Sequence, residues 1–377
     1  MGDPMGLPIT KGKLPHGFPS HNRIYFAYMS FEILPEWSLK RRKGTAISLP
    51  LLLQLLSDIK SGGSISSAAA HARLSYRHAW GMLRDFEREF SAPLLEKARG
   101  KGTVLTPLAE KLIWADMRIQ ARLSPILESF ASELEAILTG ELAALRIIAS
   151  HGFAVDALIK RMHADDLPVE ISYRGSLEAV AALARGECDL AGFHVPVGEL
   201  KQAAYPFLKW LNPQKHALIR LAFRTQGLII ARKNPKNIVG LQDLLRKDLH
   251  FVNRQSGSGT RTLFELLLSR ENINARSIND YDNTEYTHSA VAAFVASGMA
   301  DVGFGIETAA RRFDLDFIPI AQEHYLFACR SIDLESSMIR SACQSMQSAS
   351  LRESIAALAG YDGAQSGTVA SFQEIFF

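Results

Sequence analysis

The hydrophobic period of the chain changes near Leu142, and that change requires two architectures in one polypeptide. Before it, apolar residues recur at helical spacing; after it, short β-branched runs alternate with helices. Leu145–Ala149 reads as a strand, followed by Ser150-His151-Gly152 and a helix from Phe153. Val169–Tyr173 reads as a strand, followed by Arg174-Gly175-Ser176 and a helix to Arg185. Leu249–Asn253, the loop Arg254 to Thr260 and a helix through Ser269 repeat the order. Strand, loop and helix in this succession build parallel sheets with helices on both faces. At 377 residues the chain also exceeds one ordinary core.

One internal echo refines this picture. Ala184-Arg-Gly-Glu-Cys-Asp-Leu-Ala-Gly-Phe193 resembles Ala296-Ser-Gly-Met-Ala-Asp-Val-Gly-Phe304: a helix ends at glycine, and a short strand carries Asp and then Gly-Phe. The copies are too far apart for a solenoid. They suit two similar α/β lobes with a cleft between them.

Charge is distributed unevenly. Between Lys40 and Arg122 there are 15 Lys and Arg against 7 Asp and Glu, whereas the whole chain has 42 against 39. A basic segment on a mildly acidic body is the footprint of a nucleic-acid binder, unless the surface charge is simply uneven. Composition is that of a globular protein, with 47% hydrophobic and 21% charged residues. No window approaches the roughly 18 uninterrupted apolar residues of a membrane span, and Ile24 to Leu34 lacks a signal cleavage pattern. Cys188, Cys329 and Cys343 are dispersed, which suits a reducing compartment. A cytoplasmic protein is expected, without a membrane partner.

The basic segment contains a helix-turn-helix pattern from Ile65 to Gly81. Ala68, Ala69 and Ala72 permit a close helix crossing, and Ser75 is a good N-cap for the second helix. On that helix Ala79, Leu83, Phe86 and Phe90 share one stripe, while Arg77, Gly81, Arg84 and Arg88 share the opposite one. Three arginines around a glycine can approach a groove and reach bases or phosphates; the plainer alternative is a solvated basic face. Ser75, Tyr76 and His78 at the helix start belong to the same candidate DNA surface, and Trp80 is expected in the core. From Pro93 to Pro107 the sequence reads as a hairpin wing. Gly100 and Gly102 allow its turn, and Lys97, Arg99 and Lys101 offer charge to the DNA backbone.

Residues 107–139 read as helical, with Ile119, Leu123, Ile126, Phe130, Leu134 and Ile137 at coiled-coil spacing. Ser124-Pro125 fits a break, with serine as cap and proline at the first helical position. A dimer seam is expected, since helix-turn-helix proteins usually need two half-sites. The alternative is a helix packed on its own C-terminal domain.

Ser75-Tyr-Arg-His-Ala-Trp80, Pro93-Leu-Leu-Glu96 and the Gly102-x-x-Leu-Thr-Pro107 run closely resemble the N-terminal domain of ModE-type molybdate-responsive regulators. LysR-type regulators share a looser version. Asn253-Arg-Gln-Ser-Gly-Ser-Gly-Thr-Arg261 and Thr287 to Phe304 resemble the periplasmic-binding-protein-like domain often fused to such units, similar to molybdate- and tungstate-binding proteins. Together the resemblances imply an α/β chain: an N-terminal winged helix-turn-helix plus linker helix, then a C-terminal two-lobed type II periplasmic-binding-protein-like α/β domain. The expected divisions are a disordered extension at 1–28 (or a true start at Met29), the winged unit at 29–106, the linker at 107–140 and the sensor at 141–377. ModE proteins proper carry a different C-terminal fold, so the ligand does not transfer from them.

Ser150-His151, Ser176, Ser258-Gly259-Thr260 and Thr287-His288 each stand between a strand and a helix, where loops converge on the cleft. Free N–H groups and positive dipole ends there make an oxyanion cradle, although each hydroxyl taken alone reads first as a helix cap. Arg254 and Arg261 are candidates to neutralise the guest, or one of them forms a structural ion pair. His151, His194 and His288 lack paired metal-ligand spacing. No phosphate-loop lysine or nucleophile elbow appears, so an enzyme is not expected. The expectation is therefore a DNA-binding regulator, dimeric or tetrameric, with no cofactor beyond a small anion effector such as molybdate or tungstate. A regulator sensing a small carboxylate such as formate, and a cytoplasmic solute-binding protein without DNA function, are the alternatives.

Overall fold

The computed structural model describes residues 31–40, 46–98, 102–139 and 144–377. The expected extension at 1–28, and Arg99 and Lys101 of the wing, lie outside the described residues. Strands β1 (Ser38–Lys40) and β2 (Ala46–Ser48) pair antiparallel ahead of three helices, α1 (Pro50–Gly62), α2 (Ile65–His71) and α3 (Tyr76–Phe90). Leucines of α1 interlock with Ala68, Ala69, Ala79, Leu83 and Phe86 in one core, and the two alanines let α2 pack closely. The Ser75 hydroxyl accepts the N–H of His78 and caps α3, as its position before the helix predicts. Strands β3 (Leu95–Ala98) and β4 (Gly102–Leu105) form the antiparallel wing, with Gly102 at φ 73° where the strand resumes. The Thr106 hydroxyl donates to the Pro93 carbonyl at 2.8 Å and closes the base of the wing.

The linker helix α4 (Pro107–Thr139) runs unbroken for 33 residues, with Pro125 inside it. The expected break at Ser124-Pro125 is therefore absent. Proline removes the N–H that would bond the carbonyl four residues back, here that of Ala121. That carbonyl instead accepts the Thr287 hydroxyl at 2.9 Å, so a partner from the C-terminal domain replaces the missing bond. Ala109 and Ile113 at the start of α4 sit in the core of the winged unit.

Beyond α4 the strands β5 (Leu145–Ala149), β6 (Val169–Tyr173) and β7 (Leu190–Pro196) alternate with α5 (Phe153–Ala164) and α6 (Ser176–Ala184). They pair in parallel as a first lobe. A 15-residue strand, β8 (His216–Ile230), then leads to β9 (Phe251–Arg254), α7 (Gly259–Arg270), β10 (Thr284–Glu285), α8 (His288–Ala296), β11 (Val302–Ile306) and α9 (Glu307–Arg312). Here β9, β10 and β11 pair in parallel as the second lobe. A second 15-residue strand, β12 (Asp316–Arg330), returns to the first lobe. That lobe is completed by α10 (Ser337–Gln347), α11 (Ala349–Ala356), β13 (Tyr361–Asp362), β14 (Val369–Ala370) and α12 (Phe372–Phe376).

The two long strands modify the expectation of purely parallel sheets: β8 and β12 are antiparallel to each other and to their neighbours. One end of β8 pairs with β11 of the second lobe and the other with β13 and β14 of the first, so both lobes hang on one strand pair. The internal echo is also structural. Asp189 accepts the N–H of Arg146 at the start of β5, and Asp301 accepts the N–H of His250 just before β9, each at 2.9 Å.

Candidate effector cleft and DNA-facing helix

A cavity of about 610 Å³ lies between the lobes. Its wall is set by topology: α5, α6, α7 and α8 all begin where a parallel strand has ended, and their N-termini face it. Ser150, His151, Ser176, Arg254, Ser258, Gly259, Thr260, Thr287 and His288 all line this cavity. Several hydroxyls also cap helices: Ser258 accepts the N–H of Arg261, and Thr287 that of Ala290. Capping and cleft lining are compatible here, because the caps hold the N-termini that form the wall.

Arg261 is the exception among the sequence candidates. It is buried outside the cavity, donates to Glu265 at 2.7 Å and stacks 4.2 Å from the Tyr281 ring. Its place in the first turn of α7 puts Glu265 one turn ahead on the same face, so the structural ion pair takes it.

The second cationic wall comes from Arg224, which the sequence reading missed. It lies inside β8 beside its register partner Glu323 on β12, and its Nε donates to that carboxylate at 2.5 Å. Gln226 donates to Glu323 at 2.8 Å and to Thr260 at 3.2 Å. Arg224 and Glu323 are both 2% exposed in their side chains, and Nη1 of Arg224 is buried without a hydrogen-bond partner among the described residues. Nothing local distinguishes Arg224 from Arg220 in the same strand; only the crossing of the two lobes brings it to the cleft.

Arg254 donates to Gln255 and to the Tyr286 carbonyl, with no carboxylate in ion-pairing range among the described residues. Burial, then the Arg224 charge beside it, pushes its pKa down to about 9. It stays protonated at neutral pH, yet its positive field is incompletely balanced. Burial first, and the guanidiniums second, hold His194 and His288 well below the usual imidazole value, so both are neutral. Nδ1 of His194 contacts the hydroxyls of Ser150 at 3.2 Å and Ser176 at 3.3 Å.

At the rim, Glu128 of α4, His151 and Asp156 bring ligand-type atoms within 4.8 Å of one another. His151 Nε2 stands 3.7 Å from each carboxylate, the spacing of an imidazolium between two acids. Burial works to lower its pKa, but Asp156 and Glu128 outweigh that and hold it raised.

On α3 the expected faces separate. Ala79, Leu83 and Phe86 are buried, and Phe90 is half-buried against the Phe86 ring. Tyr76, Arg77, His78, Arg84 and Arg88 are exposed, Gly81 lies on the same side, and Lys97 is exposed on the wing. Trp80 is not in the core: it is 43% exposed, and the Arg84 guanidinium lies 5.0 Å over its ring. Ala79, Leu83 and Phe86 already fill the inner stripe, leaving Trp80 on its margin. Arg84 also pairs with Glu87 at 2.9 Å, and Arg88 pairs with Asp85. Among the described residues no helix is long and apolar enough to cross a membrane.

Residues 159–347 match the PBP superfamily domain. The chain is 30% identical over 226 residues to uncharacterized protein YvgK of Bacillus subtilis, covering 59% of this chain and 72% of that protein. It is 34% identical over 124 residues to the molybdenum-pterin-binding protein MopB of Rhodobacter capsulatus, covering 32% of this chain and 46% of that one. It is 36% identical over 97 residues to the transcriptional regulator ModE of Haemophilus influenzae, covering 24% and 38%. The chain thus spans less than half the length of the latter two relatives.

Proposed function

The chain belongs to the PBP superfamily, and on that premise we propose a transcriptional regulator whose winged helix-turn-helix binds double-stranded DNA while its cleft senses a small anion. Molybdate or tungstate is the first choice of effector. The observation that carries this reading is the cationic cleft. Arg254 has no carboxylate in ion-pairing range among the described residues, Arg224 keeps an unpartnered Nη1, and four helix N-termini face the same space. An oxyanion supplies the missing charge and accepts the free N–H groups. The named relatives point the same way, one binding molybdenum-pterin and one regulating transcription. A small carboxylate such as formate is the second reading, because the unpartnered edge of Arg224 suits a planar anion.

Calorimetric titration with molybdate, tungstate, sulfate, phosphate and formate tests the effector. Molybdate and tungstate are expected to bind, sulfate to bind much more weakly for its smaller size, and Arg254→Ala to remove binding. Formate binding without any oxyanion binding would replace the oxyanion reading by the carboxylate one.

A further inference from the structure

The linker helix is itself a wall of the cleft, through Arg122, Leu123, Pro125 and Ile126. Arg122 is 38% exposed there, whereas its partner Glu285 is fully buried. Nε and Nη2 of Arg122 donate to the two Glu285 oxygens at 2.5 and 2.7 Å, a bidentate fork. Its Nη1 makes no hydrogen bond among the described residues. One turn earlier on α4, Arg118 holds its Nε 3.9 Å from the same carboxylate. That Nε is buried and has no hydrogen-bond partner among the described residues. Glu285 therefore has one guanidinium in place and a second poised beside it. A buried carboxylate cannot lose its cation without a replacement except at high cost, and the replacement is already present.

We infer that Arg122 is part of the effector site, and that an anion in the cleft draws it from Glu285 while Arg118 takes its place. This rests on the anion reading of the cleft. The exchange gives the effector a contact that exists in only one arrangement of the linker, which a ligand needs if it is to shift an equilibrium. Because α4 begins inside the core of the winged unit, a one-turn change in its attachment to the second lobe alters how that unit is held.

The test uses the full chain, calorimetry with molybdate, and a DNA fragment selected by the wild-type protein from a random pool. Arg122→Gln is expected to weaken molybdate by about tenfold or more, the loss of one charge-assisted contact. Glu285→Gln releases Arg122 and is expected to tighten molybdate, and Arg122→Lys, which keeps charge without the fork, to fall between wild type and Arg122→Gln. Both glutamine variants should shrink the change in DNA affinity that molybdate causes. A purely structural ion pair predicts no such opposition of sign. Wild-type binding that survives Arg122→Gln unchanged overturns this inference alone, as does weaker or equal molybdate binding by Glu285→Gln. A wild-type protein that binds none of molybdate, tungstate, sulfate, phosphate or formate overturns the anion reading and this inference with it.

Discussion

Arg77 makes no ion pair among the described residues, whereas Arg84 is drawn back onto Glu87 and Trp80, and Arg88 onto Asp85. Arg77 can meet DNA without giving up a partner; the other two must exchange theirs. Arg77→Ala is therefore expected to cost about 1–3 kcal/mol of sequence-specific binding with the fold intact, measured by anisotropy at matched salt. Unchanged affinity would remove α3 as the recognition element. A second residue-scale expectation concerns His151. Its folded-state pKa is raised, so its contribution to stability is complete below about pH 6.5 and is lost as pH climbs through the folded value. The melting-temperature gap between wild type and His151→Gln should be wider near about pH 6 than near about pH 9; a constant gap would exclude the ion-pair assignment. At this scale the caps Ser75, Ser258 and Thr287 were legible, because capping depends on neighbours in sequence. The place of Trp80 was not, nor which of Arg254 and Arg261 takes the structural ion pair, because both depend on which side chains filled the core and the next helical turn.

At the scale of elements, α4 has two distinct faces. Ser129 and Ser132 accept the N–H groups of Tyr173 and Ile171, so the helix covers the edge of β6. The other face leaves Ile119, Phe130, Leu134 and Ile137 between 37% and 67% exposed. Both expectations for the linker thus have physical support: it packs on its own C-terminal domain and also carries a free apolar stripe. The seam is narrower than its spacing suggested, since Leu123 and Ile126 line the cleft. If that stripe joins two copies, Phe130→Asp with Ile137→Asp buries two unpaired carboxylates and costs about 2 kcal/mol or more each. Sedimentation velocity should then show a wild-type dimer or tetramer and a monomeric double variant; a monomeric wild type would remove the dimer reading. Strands 145–149 and 169–173 match their expected bounds, because each is a short run with β-branched residues closed by turn residues, Ser150-His151-Gly152 and Arg174-Gly175. The continuity of α4 through Pro125 was illegible, since the bond that rescues it comes from Thr287, distant in sequence.

At the scale of the whole molecule, the order of modules and the two-lobed build were written in the change of period and in the repeated Asp and Gly-Phe segments. The pairing of β8 with β12 was not, because a crossing strand looks like any other strand until its partners are known. The path of the chain also bears on synthesis. The winged unit is built from contiguous residues and can fold as soon as it emerges from the ribosome. The first lobe cannot: its core joins Leu145 and Ile147 to Ile339, Met346 and Ile355, and its other layer waits for Phe372 and Phe376. Such long-range closure is slow relative to local folding. During translation, then, the winged unit is folded before the lobes behind it close, and a prematurely terminated chain would carry that unit alone.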